Sequence, residues 1–276
     1  MKLNNLTFVI FTFNEEKRIE RVIKNFQKYG EVLLADNKST DNTIEIARRY
    51  GCKVFTREKE YEYVENQELV DLLYDQISTE WLYFGFADEM LDQKTLIEIQ
   101  KIIATNRYEV ISIDRKNYFY GQFCHDAFNA RTNKIFKKHA IDFTDNPIHG
   151  FGKCIVPSEK VYYLEGAFFV HHFISNTAAS YLNVINRYTE TEMRFGYTEK
   201  KGLWYPLALV GYYFLKQYIL KKGYKAGFAG LSLTLLMIFY AFVKNMKVYE
   251  KNHDLSTATI EEANDKHRDL ILENMA

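Results

Sequence analysis

The segment Leu6–Phe26, LTFVIFTFNEEKRIERVIKNF, combines the two patterns on which the fold of this chain depends. Its first eight residues form an apolar, aromatic and β-branched run, which predicts a buried strand. The apolar residues that follow have the spacing of one helical face: Ile19, Val22, Ile23 and Phe26. Gly30 is placed to end this helix. The segment therefore predicts a strand followed directly by an amphipathic helix.

The same alternation continues through the first hundred residues. Further strands are predicted at 31–35, 52–56 and 81–86, and further helices at 41–50, 70–77 and 93–105. This order indicates right-handed βαβ units and a mostly parallel sheet that is covered on both faces. Ligands of such sheets bind at the carboxyl ends of the strands. The residues expected in that crevice are Thr12–Glu15, Asp36–Thr40, Arg57, Asp88 and Glu89.

Composition and motifs exclude several classes of function. The chain has 36 basic and 36 acidic residues, which argues against a nucleic-acid-binding protein. It lacks the GxGxxG and GxxxxGK[ST] motifs, which argues against a dehydrogenase-type dinucleotide fold and a P-loop NTPase. Its three cysteines are widely spaced, which argues against a disulfide framework or a zinc site. The N-terminus has no signal-peptide pattern, so we expect a cytoplasmic location.

The acids at the predicted strand ends suggest a diphosphate site. Asp36 can accept hydrogen bonds from a base or a ribose, and Asp88 and Glu89 offer hard oxygen ligands for Mg²⁺ or Mn²⁺. Such an ion would stabilise a departing diphosphate as a Lewis acid. Each acid also has a structural alternative, with Asp36 in a turn and Asp88 and Glu89 capping a helix. Their joint placement at strand ends favours the functional interpretation.

Three stretches together resemble the start of a family 2 glycosyltransferase with the GT-A fold: FVIFTFNEEKRIERVIKNF, LLADNKSTDNTIEIARRYG and WLYFGFADE. Later motifs, among them KNYFYGQ, DNPIHG, HHF and YILKKGYKAGFAGL, resemble the subgroup that includes lipopolysaccharide-core and capsule glucosyltransferases. The resemblance implies inverting transfer of a sugar from a nucleotide-sugar, with a UDP-sugar as the expected donor. It also implies site residues. Thr12, Asn14, Glu15 and Asp36 would line the nucleotide, and Asp88 and Glu89 would hold the diphosphate and its Mg²⁺ or Mn²⁺.

The chain departs from this family at two positions. Phe86 stands where the family often has the first acid of Asp-x-Asp, and Gly150 stands where the subgroup commonly has its glutamate base. The nearest substitutes for that base are Asp145, His149 and Asp142. Histidine has a pKa near neutrality, which suits a general base. The alternative is that His149 and Asp145 only build a turn around Pro147.

Two further sets of polar residues have open alternatives. His171 and His172 follow an apolar run, AFFV, and strand alternation points them to opposite faces. We assign His171 to the metal site, with a packing role as the alternative. Arg131 and Lys134 could contact phosphate or acceptor, or lie on a solvated basic edge strand.

The carboxyl-terminal third has a different composition. Residues 203–215 and 226–243 carry no charge, while 200–251 contain nine lysines and one acid. This pattern predicts helices on the cytoplasmic face of a membrane, attracted by anionic lipid. The alternatives are a hairpin packed on the catalytic domain, a homodimer interface, or a membrane span. We therefore predict a GT-A domain at 1–200, a membrane-surface helical segment at 201–250 and a polar tail at 251–276.

The leading functional prediction is sugar transfer to a glycan acceptor, expected to be a lipid-linked intermediate of lipopolysaccharide or capsule, on the inner face of the cell membrane. One alternative is a polyprenyl-phosphate sugar synthase, whose phosphate acceptor needs no base. A second is a non-catalytic relative that binds nucleotide or glycan.

Overall fold

The computed structural model describes residues 5–57, 65–144, 146, 150–193 and 204–274. The strands in these ranges are β1 (Leu6–Thr12), β2 (Glu31–Asp36), β3 (Lys53–Thr56), β4 (Trp81–Phe86), β5 (Glu89–Leu91), β6 (Val110–Phe119), β7 (Gln122–Phe123), β8 (Ala130–Lys137), β9 (Ile141–Asp142), β10 (Lys153–Cys154) and β11 (Val161–Ile174). The helices are α1 (Ile19–Phe26), α2 (Thr43–Arg49), α3 (Gln67–Asp75), α4 (Gln93–Ala104), α5 (Ala178–Met193), α6 (Trp204–Tyr213), α7 (Gly227–Asn252) and α8 (Thr257–Glu273). A π-helical segment (Phe214–Leu220) and a 3-10 turn (Gly223–Ala226) connect α6 to α7.

The central sheet has the strand order β3-β2-β1-β4-β8-β6-β11-β5. Its first four strands are parallel, as is the pair β6 and β11. The second half also contains antiparallel pairs, because β8 runs against both β4 and β6. The predicted α/β fold with a mostly parallel central sheet is confirmed. Strand β8 lies between β4 and β6 and Lys134 is fully buried, so the solvated edge-strand alternative is wrong for Lys134. Arg131 is exposed, at the end of β8 that pairs with β6.

Helices cover both faces of the sheet, as the alternating pattern predicts. On one face, α1 and α4 pack with Phe8 and Tyr83, and on the other face α3 packs Val70 and Leu73 against the sheet. The strand β1 is buried along its whole length because it faces helices on both sides. In the parallel register Thr12 lies opposite Asp36, so the carboxyl ends of β1 and β2 stand at the same level.

The carboxyl-terminal helices follow β11, the last strand in the chain. Helix α7 packs along α5, where Lys247 donates to Asn186 Oδ1 at 2.7 Å and Lys244 lies 3.5 Å from a Glu192 carboxylate oxygen. Among the described helices, one stretch, Gly223–Asn252, is long and apolar enough to cross a membrane by length and composition. The polar helix α8 begins with a capping box at Ser256, and its described side chains are exposed. The predicted boundary at 200/201 falls outside the described residues.

Candidate active site

A cleft of about 580 Å³ lies at the carboxyl ends of β1 and β4. Six of the residues predicted to meet there line it: Thr12, Phe13, Glu15, Asn37, Arg57 and Asp88. Thr12 and Asp88 reach it because their strands, β1 and β4, are neighbours and end at the same edge of the sheet. Glu15 is paired with Arg18, and burial raises the pKa of Glu15 although Arg18 opposes this rise.

The loops after β1 and β2 are joined by hydrogen bonds around Asp36. The Asp36 carboxylate is fully buried, and it accepts from Thr12 Oγ1 at 2.8 Å, Ser39 Oγ at 2.6 Å and Ser39 N at 2.7 Å. Asn14 has a φ of 56°, which asparagine tolerates, and its Oδ1 accepts from Thr40 N at 2.8 Å. Neither Asp36 nor Asn14 lines the cleft. The structure therefore gives both residues a role in shaping the predicted nucleotide loop.

The same end of the cleft contains Asn37, which lies in the predicted range Asp36–Thr40, and Glu65, which was not predicted from the sequence. Asn37 lines the cleft, and its Oδ1 is buried without a hydrogen-bond partner in the described part of the chain. Glu65 lies against Arg57, with an Oε1–Nη2 distance of 3.0 Å, and Arg57 stands over the Phe11 ring. Burial raises the pKa of Glu65, and Arg57 only partly offsets this effect. These groups add polar side chains that can hydrogen-bond a ligand.

Asp88 and His172 form the charged centre of the cleft. Asp88 Oδ2 lies 3.3 Å from His172 Nε2, and His172 Nδ1 lies 2.7 Å from Asn117 Oδ1. Because an amide oxygen only accepts, Nδ1 carries a proton; the ring donates to Asp88 when Nε2 is protonated as well, and it presents a free Nε2 as a metal ligand when it is not. Burial disfavours the charged carboxylate, but the hydrogen bond and charge of His172 outweigh it and lower the pKa of Asp88. Asp88 Oδ1 is buried and has no hydrogen-bond partner among the described residues.

Glu89 does not reach the cleft, and this placement contradicts its predicted role as a metal ligand. Its side chain is fully buried, 2.5 Å from Lys134 Nζ and 3.4 Å from Arg115 Nη1. Its Oε2 also accepts from Phe86 N at 3.2 Å and Tyr83 Oη at 3.3 Å. These contacts occupy the carboxylate within the sheet. Burial lowers the pKa of Lys134 to about 8, although the charge of Glu89 acts in the opposite direction.

The helix-cap alternative for these two acids is also wrong. Glu89 begins β5, and Asp92 is the residue that caps α4, accepting from Thr95 N at 2.9 Å. Asp88 therefore lies at the cleft, and Glu89 lies in the core.

The histidine at the cleft is His172, and the assignment of His171 to the metal site is not supported by its position. His171 Nδ1 lies 3.0 Å from Tyr118 Oη, and its ring packs against Phe169. The two histidines point to opposite faces of β11, as alternation predicts. His171 does not line the cleft, whereas His172 does.

The predicted base positions have different outcomes. Asp142 lies in the two-stranded β9–β10 ribbon, accepts from Thr144 N at 2.8 Å and does not line the cleft. Asp145 and His149 lie outside the described residues, so their roles stay predictions. Asn146 Nδ2 donates to the backbone oxygen of Glu65 at 2.8 Å and to that of Gly150 at 3.3 Å. Glu65 is therefore a neighbour of the segment in which the base was predicted.

The far wall of the cleft comes from the end of β11, from α5 and from α7, so it joins the predicted domain at 1–200 to the helical segment predicted at 201–250. Its residues are Ile174, Asn176, Tyr181, Val184, Tyr188, Met237 and Tyr240. The spacing of Tyr181, Val184 and Tyr188 on α5 is that of one helical face, and this pattern could have indicated a packed surface.

The donor set at Asp88 and His172 fits a divalent metal ion. A carboxylate oxygen and an imidazole nitrogen suit Mn²⁺, and the unpartnered Asp88 Oδ1 is a further acceptor. The described residues contain no group of three or more His, Cys, Asp or Glu side chains that could hold a metal. A metal here would therefore also need ligands from substrate phosphate or water, as Mg²⁺ commonly has.

Comparison with known proteins gives consistent matches along the chain. The model of "Glycosyl transferase family 2" matches residues 7–152. An uncharacterized glycosyltransferase of Rickettsia typhi is 26% identical over 260 residues, covering 88% of this chain and 86% of the relative. One of Rickettsia prowazekii is 27% identical over 256 residues, covering 88% of this chain and 85% of the relative.

Solved structures give more distant matches. One match is the structure of S. aureus TarS 1-349 in complex with UDP-GlcNAc, at 15% sequence identity and a TM-score of 0.45. The match covers 68% of this chain and 66% of the TarS chain. Glucosyl-3-phosphoglycerate synthase from Mycobacterium tuberculosis in complex with Mn²⁺ and UDP-glucose is 13% identical, covers 67% and 76%, and has a TM-score of 0.42. This chain spans 39% of the longer TarS structure that it also matches, at a TM-score of 0.44.

Proposed function

Because the chain belongs to glycosyl transferase family 2 and is a glycosyltransferase, we propose that it takes its sugar from a nucleoside diphosphate sugar, with a UDP-sugar as the expected donor. The observation that carries this proposal is Asp88 at the end of β4. One of its oxygens is held by His172 and the other is buried without a partner among the described residues. A carboxylate in this state is prepared for a cation or a donor group of a ligand.

Different residues of the cleft would bind the diphosphate and the nucleoside of the donor. Asp88 and His172 would hold a Mg²⁺ or Mn²⁺ ion, which would supply Lewis-acid stabilisation of the departing diphosphate. Arg115 lines the same part of the cleft, and its side chain is 25% exposed, so its guanidinium can face developing negative charge. Asn37 and the Arg57–Glu65 pair offer hydrogen-bonding groups to the nucleoside.

The acceptor hydroxyl needs a base that takes its proton while the oxygen attacks the anomeric carbon. We propose that this base comes from the corner of the cleft where Asn146 joins Glu65 to Gly150. Asp145 and His149 are the predicted candidates, and Glu65 is added by its position and its raised pKa. A second function, transfer to a polyprenyl phosphate, is compatible with Gly150 in place of a glutamate, because a phosphate acceptor needs no general base. Single variants of the three candidates separate these possibilities, because only a hydroxyl acceptor makes one of them essential.

The experiment for the proposed activity measures consumption of a panel of nucleotide-sugars with and without Mn²⁺. Asp88→Asn is expected to lower turnover on the order of a hundredfold or more, the loss typical of removing one electrostatic contact to developing charge. Asp142→Asn is the matched control, because this acid lies outside the cleft and should leave turnover unchanged. Unchanged turnover in Asp88→Asn, in a preparation free of wild-type protein, would contradict the site assignment.

We propose further that the acceptor is a lipid-linked glycan of lipopolysaccharide or capsule assembly and that the enzyme works on the inner face of the cell membrane. The region from α6 to α7 exposes many large apolar side chains: Leu207, Val210, Leu215, Ile219, Leu220, Phe228, Leu235, Phe239, Phe242 and Met246. Lysines accompany this surface at positions 216, 221, 222 and 225. An apolar surface with a basic rim is typical of proteins that bind anionic bilayers.

Vesicle flotation tests the membrane proposal. Each lysine near an anionic surface contributes about 1 kcal/mol, so Lys221→Ala with Lys222→Ala should weaken binding to phosphatidylglycerol vesicles roughly thirtyfold. The control exchanges two exposed lysines of another helix, Lys94→Ala with Lys101→Ala, which should leave binding unchanged. Equal binding of both double variants, or wild-type protein that stays in solution, would count against this location.

A further inference from the structure

The cleft has two chemically different ends. The end at β1 and β4 carries the acids, the arginines and His172 that the donor proposal uses. The other end is mostly apolar and aromatic and is lined by Ile174, Asn176, Tyr181, Val184, Tyr188, Met237 and Tyr240. Nothing in the chemistry of a nucleoside diphosphate requires this second end. This end is therefore available to a second ligand.

The aromatic end of the cleft has a fixed shape, because contacts join its two helices, α5 and α7. Inside the wall, Tyr181 Oη lies 3.0 Å from Met237 Sδ. Further along the same helix pair, Lys247 Nζ lies 2.7 Å from Asn186 Oδ1, and Lys251 Nζ donates to the backbone oxygen of Met193 at 3.1 Å. These contacts hold α7 against α5 and keep the tyrosines at the cleft.

Tyrosine side chains that line a cleft suit a sugar ring. Each ring presents an apolar face for packing and a hydroxyl for hydrogen bonding, the combination found where a ligand is apolar on one side and polar on the other. A hexose has the matching surfaces, with C–H groups on its faces and hydroxyls around its edge. The wall and Asp88 line the same cleft, so an acceptor bound at the wall would share this cavity with the donor sugar.

Helix α7 contributes to two surfaces at once. Tyr240 lines the cleft, while Phe239 beside it and Leu235 one turn earlier are 44% and 50% exposed and belong to the apolar outer surface. One helix thus separates the cleft from the surface that we assign to the bilayer. A ligand with a polar head and a long apolar chain can place its head in the cleft and its chain along the outside of α7.

We propose that the wall formed by α5 and α7 is the acceptor subsite and that it binds the terminal sugar of an amphiphilic glycoside. This inference rests on the proposed function, since it assumes sugar transfer at Asp88. It adds the place of the acceptor, the residues that bind it and the reason for its lipid chain. The proposal assigns Tyr240 and Tyr188 to acceptor binding and Phe239 to the membrane side.

The test compares Tyr240→Ala with its neighbour Phe239→Ala in the full chain. The soluble probes are octyl glycosides of the common hexoses and N-acetylhexosamines, and the membrane probes are the hexadecyl glycosides in phosphatidylglycerol vesicles. Loss of one aromatic contact corresponds to a rise of about tenfold in the acceptor KM. Tyr240→Ala should show this rise with both probes and should keep the wild-type affinity for UDP, measured by calorimetry. Phe239→Ala should keep the wild-type KM for octyl glycosides and raise it only for the vesicle-bound probes.

A second measurement does not depend on the variants. An octyl glycoside that carries a photoreactive diazirine should label peptides of α5 and α7 in the wild-type protein, and unmodified octyl glycoside should compete with it. Labelling of another surface, or a Tyr240→Ala variant that loses UDP affinity and acceptor affinity equally, would overturn the subsite. Wild-type protein that consumes nucleotide-sugar but binds no glycoside saturably would overturn it while leaving the proposed function intact. Failure to bind UDP or to consume any nucleotide-sugar would overturn both.

Discussion

Replacing Glu89 by glutamine should destabilise the fold strongly, because Glu89 holds a buried lysine. Neither Glu89 nor Lys134 exposes any of its side chain, and Lys134 Nζ lies 2.5 Å from Glu89 Oε2. Without this carboxylate, the ammonium group keeps contacts to the faces of Phe86 and Phe151, at 5.0 and 4.4 Å from the ring centroids. Such contacts recover only part of the lost solvation.

The size of the effect follows from the burial of both partners. Breaking a fully buried ion pair by removing one member costs about 3–5 kcal/mol. Glutamine keeps the shape of the side chain and can still accept from Phe86 N, so most of this cost reports the lost charge. For a chain of this size we expect the melting temperature to fall by roughly 6–20 °C.

Urea unfolding followed by far-UV circular dichroism measures the loss, provided that the slope m stays unchanged. The double variant Glu89→Gln with Lys134→Met should recover most of the stability, because replacing both members of a buried pair is often neutral or stabilising. The coupling energy from the four proteins isolates the pair. Asp88→Asn is the functional counterpart and should lose turnover with a much smaller change in stability.

Two results would refute this reasoning about Glu89. One is a Glu89→Gln variant that unfolds like the wild type and has lost Mn²⁺-dependent turnover, since this would make Glu89 a metal ligand. The other is a coupling energy near zero between Glu89 and Lys134, which would mean that the buried pair contributes nothing specific.

Three further predictions concern the cleft and its loops. His172→Asn should raise the Mn²⁺ concentration needed for half-maximal turnover, whereas His171→Asn should leave it unchanged; equal effects would contradict the choice of His172. Burial raises the pKa of Glu65 above 4.5, so the folded state binds more protons than the unfolded chain between pH 4.5 and the raised pKa, and stability falls as pH rises through that window. Glu65→Gln should remove this decline in urea unfolding measured across the window, and a decline of the same slope in the variant would assign it to another group. Ser39→Ala should cost about 1–3 kcal/mol, because it removes one hydrogen bond to the buried Asp36, and it should raise the donor KM; wild-type values of both would show that the loop is held by other contacts.

The sequence patterns were sufficient for the first half of the sheet and for the meeting of its strand ends. Periodicity identified β1, α1 and β4, and the rule for parallel sheets then placed Thr12, Arg57 and Asp88 at one cleft. These inferences depend on local spacing and on a general property of βαβ folds. They do not require knowledge of which distant strands pair.

The inferences that were wrong depended on such distant pairing. Lys134 looked like a residue of a solvated edge strand, but β8 lies between β4 and β6, and this position in the sheet buries it. For His171 and His172, alternation predicted opposite faces correctly, but the face that meets the cleft depends on the register of β11 against β6. That register is interrupted between Leu164, which lies opposite Ile113, and Phe169, which lies opposite Asp114, and local spacing does not reveal such an interruption.

The carboxyl-terminal helix was ambiguous for a related reason. Helix α7 is apolar on the side that lines the cleft and on the side that is exposed, so its sequence has no polar face that marks an orientation. Composition alone therefore could not distinguish a helix packed on the catalytic domain from one on a membrane. In the structure α7 packs on α5 and also has an exposed apolar surface.

Phe86 explains why Glu89 pairs with Lys134 in the core while Asp88 reaches the cleft. Its ring packs between Phe11 and Phe151, with centroids 5.8 and 6.2 Å away, and Lys134 Nζ lies 5.0 Å from its centroid. An acid at this position would place a second carboxylate beside Lys134, in competition with Glu89. The aromatic ring instead leaves Glu89 as the partner of Lys134, and Asp88 as the acid of this strand end that reaches the cleft. If a metal binds, it depends on Asp88 and His172, and the neighbouring Arg115 gains importance as a second source of positive charge for the diphosphate.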